Sequence, residues 1–104
     1  MDSFEELQLS SEVKKGVSAA GYRRPFPIQE QAIGPLLKGR NLIGQARAGS
    51  GKTLAFGIPL IQAIDENVNR VQGLVLAPTR ELAVQITLEL QKIAAFTGVR
   101  VVTI

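Results

Sequence analysis

The run Ala46-Arg47-Ala48-Gly49-Ser50-Gly51-Lys52-Thr53 sets small side chains at positions 46, 48, 49, 50 and 51 directly ahead of an ammonium and a hydroxyl. Small residues let successive backbone N–H groups converge on one centre, and glycine takes positive φ there without strain. A helix predicted to begin near Gly51 adds the positive end of its dipole. Lys52 offers a mobile cation to outer phosphates, and the Thr53 hydroxyl suits Mg²⁺. The pattern is that of a cradle for a nucleoside triphosphate. Ala48, Gly49, Ser50, Gly51, Lys52 and Thr53 are the phosphate-binding candidates, Lys52 and Thr53 the candidate catalytic residues, and Thr53 the metal ligand. Ala46 matches the looser form of the pattern, which allows Ala or Gly at the first position. Taken alone, Gly49-Ser50-Gly51 is also an ordinary turn, but a turn does not account for the Gly-Lys-Thr that follows between a strand and an apolar helix.

The elements that must position this loop follow from periodicity and punctuation. Ser10 is a plausible N-cap, Glu12 falls in a first turn, and Val13, Val17 and Ala20 share a face, so a helix is predicted over 11–20 with Gly21 at its end. Phe4, Leu7 and Leu9 anchor an extended arm before it. Tyr22-Arg23-Arg24-Pro25-Phe26-Pro27 is a rigid connector, because each proline pushes the residue before it toward extended geometry. Pro27 then opens a helix broken at Gly34-Pro35, with Leu36-Leu37-Lys38 as one more turn closed by Gly39. Residues 41–46 read as a buried strand leading into the cradle. From Lys52 to about Val68 an apolar stripe of Leu54, Ile58, Ile61, Ile64 and Val68 predicts a helix, with Pro59 removing one backbone donor. Gly73-Leu74-Val75-Leu76-Ala77 is the clearest strand. A helix to about Phe96, with Leu82, Ile86, Leu90, Ile93 and Phe96 inward, leads to a third strand over 99–104. Strands alternating with helices predict an α/β fold with a parallel sheet, the cradle lying at the carboxyl end of its first strand.

Composition narrows the chemistry further. The 104 residues allow one domain at most and contain neither cysteine nor histidine, so any metal is held by oxygen ligands. The net charge of +3 is a mild bias toward anions that solvated surface cations explain equally well. No apolar run approaches the roughly 20 residues of a membrane helix, and the N-terminus lacks a signal-like pattern, so a soluble cytoplasmic protein without membrane contact is expected.

With Gln29 and Pro78-Thr79-Arg80-Glu81-Leu82-Ala83 added to the cradle, nearly the whole chain resembles the N-terminal part of a DEAD-box ATP-dependent RNA helicase. The family opens with a Q motif, matched here by Phe4, Gly21-Tyr22, Pro25-Phe26-Pro27 and Ile28-Gln29. The resemblance implies a RecA-like P-loop NTPase fold, with residues 1–40 as a short helical Q-motif segment and 41–104 as part of the ATP-binding domain. It implies that Tyr22 stacks on the base, that Arg24 lies beside it, and that Gln29 reads adenine. The carboxamide supports that role, since one donor and one acceptor complement adenine N6 and N7, whereas guanine shows acceptors at both N7 and O6. ATP and Mg²⁺ are the implied cofactors. Pro78, Thr79 and Arg80 match motif Ia, which contacts the RNA backbone independently of sequence. The plainer alternative is that Thr79 caps a helix and Arg80 pairs with a carboxylate.

Two positions depart from the commonest family pattern, Ala48 and Phe26, each standing where a hydroxyl is frequent. The chain contains no Asp-Glu-Ala-Asp motif and none of the family's second domain. The remainder of the helicase core is therefore an expected partner, and self-association through strand edges is expected of these residues alone. Alternatives are another P-loop NTPase, which would give no role to the Tyr22–Gln29 segment, and a nucleotide-binding or interaction module without catalysis.

Overall fold

The computed structural model describes residues 3, 4, 7–46 and 51–104. Four helices carry the core: α1 (Ser11–Ala19), α2 (Pro27–Leu37), α3 (Lys52–Ala63) and α4 (Arg80–Ile93). They pack in the spatial order α2, α3, α4, α1, with α1 also touching α3. Ile33, Leu54, Ile58, Ile93, Val13 and Val17 are fully buried among them, and Phe4 and Leu7 of the N-terminal arm close the same cluster.

Each helix boundary has a local cause. The Ser10 hydroxyl accepts the Val13 N–H at 3.2 Å and Glu12 complements the first turn of α1. Both α1 and α2 stop at a glycine in the left-handed region, Gly21 at φ 92° and Gly39 at φ 78°. In α1 the Tyr22 N–H returns to the Val17 carbonyl and the Gly21 N–H to Ser18. In α2 the Arg40 N–H returns to Pro35 and the Gly39 N–H to Leu36. This paired closure satisfies the last carbonyls and fixes the exit direction of the chain. Tyr22 is thereby set at a defined place, half-buried against the core.

The expected break at Gly34-Pro35 does not occur, and α2 runs on to Leu37 with Pro35 inside it. Proline disfavours helical geometry in the preceding residue by clashing with its Cβ, and Gly34 has none. Leu37 packs on the core and holds the last turn. Conversely, α3 ends at Ala63 rather than near Val68. Ile64 is extended, the Asp65 N–H is taken by the Gln72 side chain at 2.9 Å, and Asp65 Oδ1 accepts the Asn67 N–H at 3.0 Å. These side-chain bonds compete with further helical turns. The end of α4 is similarly early, at Ile93. Leu90 and Ile93 are buried as expected, but Leu82 and Phe96, expected inward, are 37% and 51% exposed. Only the C-terminal half of α4 is pressed between its neighbours.

The three expected strands are where the structure departs most from the sequence pattern. Among the described residues 41–46, 73–77 and 99–104 form no strand ladder, and the parallel sheet is not formed. Residues 41–45, expected buried, are exposed, whereas burial in the other two runs alternates. Gly73, Val75 and Ala77 turn toward the helices, with Leu74 and Leu76 outward at 74% and 85% exposure. Val99 and Val101 likewise lie on the core, with Val102 outward. Period-two burial is the side-chain half of a strand. The backbone half requires a neighbour for each N–H and C=O, and among the described residues these runs supply none to one another.

Candidate nucleotide site

α3 begins at Lys52 with Gly51 as N-cap in the left-handed region, φ 86°. Its first N–H groups have no intrahelical acceptor, and among the described residues the Ala55 N–H bonds back to the Gly51 carbonyl at 3.3 Å. Lys52 is exposed and Thr53 half-buried at the first and second helical positions. A helix start whose first N–H groups find no partner among the described residues, beside a cation and a hydroxyl, fits phosphate and an oxygen-ligated divalent cation. Among the described residues no cluster of three or more acidic groups could hold a metal by itself. A Mg²⁺ here would be shared between Thr53 and phosphate oxygens. The expected cradle residues Ala48, Gly49 and Ser50, with Arg47, lie outside the described residues.

Gln29 is brought directly against this helix start. It is the third residue of α2, 2% exposed, and engaged at both ends of its amide. Oε1 accepts the Phe26 N–H at 2.9 Å, and Nε2 donates to the Gly51 carbonyl at 3.0 Å. Phe26 at the N-cap has no side-chain acceptor, so α2 is capped from within by Gln29 alone. A glutamine three residues after a proline-flanked N-cap is a legible capping signal. Its second bond, to Gly51, joins residues 22 apart and has no local sequence signature. Phe26 also borders Gly51, with no signal of this in the sequence: a Cβ built on Gly51 would stand 2.8 Å from Phe26 Cδ2.

The remaining candidates fall into two groups. Tyr22 and Arg24 lie on the connector between α1 and α2, Tyr22 half-buried and Arg24 exposed. Burial raises the Tyr22 hydroxyl above its ordinary pKa, and the nearby Glu89 carboxylate of α4 adds to the rise. Tyr22 is therefore neutral throughout the physiological range. Pro78, Thr79 and Arg80 lie at the start of α4, all exposed. Thr79 Oγ1 accepts the Leu82 N–H at 3.2 Å, so the capping role is real. Arg80 has no hydrogen bond or ion pair among the described residues, which leaves its guanidinium open to solvent. A polar concavity of about 280 Å³, lined in part by Ser10, Gln62, Asp65 and Thr97, includes none of these candidates.

The model of the DEAD/DEAH box helicase family matches residues 26–104. The chain is 49% identical to the ATP-dependent RNA helicase eIF4A of Pyricularia oryzae over 98 residues, which cover 94% of this chain and 24% of that protein. It is 46% identical to the ATP-dependent RNA helicase CshA of Listeria monocytogenes over 104 residues, 100% of this chain and 20% of that protein. Among solved structures, S. cerevisiae Dbp5 bound to RNA and ADP BeF3 superposes with a TM-score of 0.90 at 38% identity, covering 94% of this chain and 26% of that one. The chain thus spans a quarter or less of the length of the curated relatives it matches. The likeness is to the RecA-like fold of DEAD-box proteins.

Proposed function

Since this chain belongs to the DEAD/DEAH box helicase family, we propose that it is the ATP-binding part of an ATP-dependent RNA helicase that remodels RNA. The observation that carries this reading is the bond from Gln29 Nε2 to the Gly51 carbonyl. It joins the segment that would read the base to the helix that would hold the phosphates, as one nucleotide site requires. Residues 1–40 form the base-reading segment and 41–104 the phosphate-binding one. Tyr22 stacks on adenine with Arg24 beside it. Gln29 recognises the base with the hydrogen on Nε2 and the lone pair on Oε1 that its two intramolecular bonds leave over. Residues 48–53 cradle the phosphates, with Lys52 neutralising the outer ones and Thr53 holding Mg²⁺. Bound Mg²⁺ would supply charge neutralisation between phosphate oxygens.

Pro78, Thr79 and Arg80 receive the RNA backbone. Dbp5 in its RNA-bound form is a structural relative, and the open guanidinium of Arg80 suits a phosphate rather than a base edge. Further partners are the rest of the helicase core and, for these residues alone, a second copy through the uncovered runs. The cytoplasm is the expected compartment. No helix among the described residues is long and apolar enough to cross a membrane.

Calorimetric titration with MgATP and MgGTP tests the reading. The chain should prefer ATP, Lys52→Ala should weaken both nucleotides alike, and Gln29→Ala should reduce the ATP-over-GTP preference by about 1–3 kcal/mol, the scale of an unpaired polar group. No preference in the parent chain, or one that Gln29→Ala leaves intact, would sink the adenine assignment.

A further inference from the structure

The outward face of α1 holds a group of side chains that the nucleotide site does not use. Ser11, Lys14, Lys15, Ser18 and Ala19 recur every three or four residues, so they share one side of the helix, opposite the buried Val13, Gly16 and Val17. Together with Phe96 they line an open groove of about 460 Å³. Its character is basic and aromatic. Glu12, the one carboxylate of α1, turns instead to the concavity beside Ser10 and Gln62. Phe96 lies past the end of α4 and is 51% exposed. The turn that carries it is nonetheless fixed. The Ala95 N–H bonds to the Lys92 carbonyl at 3.4 Å and the Thr97 N–H to the Ala94 carbonyl at 2.9 Å, while the Thr97 hydroxyl donates to the same Ala94 carbonyl at 2.7 Å. A ring presented on a turn so bonded is already placed for a ligand, which lowers the ordering cost of binding.

The chemistry of the groove selects its occupant. Lysine is depleted in protein–protein interfaces, whereas lysines, hydroxyls and an aromatic ring are the set that holds a single-stranded nucleic acid, with base on ring and phosphate on ammonium and hydroxyl. We propose that the groove between α1 and Phe96 is a second contact for single-stranded RNA, in which a base stacks on Phe96 and the adjoining phosphate meets Lys15 and the Ser18 hydroxyl. It is distinct from the contact read at Pro78, Thr79 and Arg80. Those residues start α4 and Phe96 follows its end, and 14 helical residues rise about 21 Å. The two are separate footholds for one strand. Binding at the groove is indifferent to sequence, because every base has a π-face. The proposal rests on the reading of this chain as part of an RNA-remodelling helicase.

Fluorescence anisotropy over a salt series tests it, on the parent chain, Phe96→Leu, Lys15→Gln and Arg80→Ala. The probes are labelled oligouridylate, which brings no adenine to the nucleotide site, and an abasic ribose-phosphate strand of the same length. Phe96→Leu keeps an apolar side chain and removes the stacking plane. It should weaken oligouridylate binding roughly tenfold, the scale of one base–aromatic stack, and leave the abasic strand unaffected. Lys15→Gln should weaken both strands and lower the slope of log affinity against log salt by about one unit. That substitution lies on an exposed helix face and decides the matter if Phe96→Leu fails to fold. Parental oligouridylate affinity in Phe96→Leu, or a parental salt slope in Lys15→Gln, overturns the proposal. An acidic peptide bearing an aromatic residue that binds the parent chain more tightly than oligouridylate, and is lost on Phe96→Leu, gives the groove to a protein partner and overturns it too. A parent chain that binds no RNA overturns the RNA reading and this proposal together, whereas RNA binding weakened by Arg80→Ala alone overturns only this proposal.

Discussion

Thr79 and Arg80 show how one short stretch can start a helix and still hold polar groups toward solvent. The Thr79 oxygen accepts the Leu82 N–H, which uses a lone pair and leaves the hydroxyl hydrogen to donate. Arg80 follows as the first residue of α4, exposed and without a partner among the described residues. The alternative in which Arg80 pairs with a carboxylate is therefore not realised there, whereas the capping alternative for Thr79 is. If Arg80 meets an RNA phosphate, Arg80→Ala should lower the slope of log affinity against log salt for single-stranded RNA by about one unit, for every sequence tried. Fluorescence anisotropy over a salt series measures this, and an unchanged slope would return Arg80 to the solvent. At this scale the sequence shows which residues offer donors and acceptors, because these are properties of single side chains. It did not show that Gln29 is buried and doubly bonded, since that depends on where α3 begins relative to α2.

Helices were legible in proportion to how local their causes are. Ser10, Pro27, Gly21, Gly39 and Thr79 act within a turn of themselves, and the starts and stops they dictate are found. The early ends of α3 and α4 depend on side-chain bonds in the connections, such as Gln72 to Asp65 and Thr97 to Ala94, that periodicity does not encode. Gly16 is a sharper case. It reads as a passive helix residue, yet α1 crosses α4 so closely there that an added Cβ would collide with the Ile93 carbonyl. Alanine favours an isolated helix over glycine by about 1 kcal/mol. Here the obstacle is backbone, which cannot rotate away, and overpacking of this kind costs about 1–3 kcal/mol. Gly16→Ala should thus be neutral to destabilising by about 2 kcal/mol, a sum of the two effects that urea unfolding can resolve. A gain in stability would show that α1 and α4 separate at no cost.

For the whole molecule, the α/β pattern was legible as alternation but not as a sheet, because a sheet is a property of pairs of runs. Leu74, Leu76, Val102 and Ile104 stand outward on runs whose opposite faces lie on the helices. The relatives are four to five times longer, as their coverage of 24% and 20% by this chain implies. The same scale governs catalysis. A phosphate cradle binds, but phosphoryl transfer also needs a carboxylate to help place the metal, a group to orient water, and cations for the charge that develops. These 104 residues contain no Asp-Glu-Ala-Asp motif. The carboxylates whose surroundings are defined serve elsewhere. Asp65 accepts the Asn67 N–H, Glu66 accepts the Gly98 N–H, and Glu89 lies by Tyr22. A positioned arginine is worth about 10³–10⁵ in rate, and the lack of a water-orienting group multiplies that loss. A polypeptide of these residues incubated with MgATP and RNA should accordingly release no phosphate above its Lys52→Ala variant, even where titration shows nucleotide bound. RNA-stimulated release from this polypeptide would require a carboxylate beside Thr53, and the first to substitute would be Glu30, whose helix is already bonded to the α3 N-cap through Gln29.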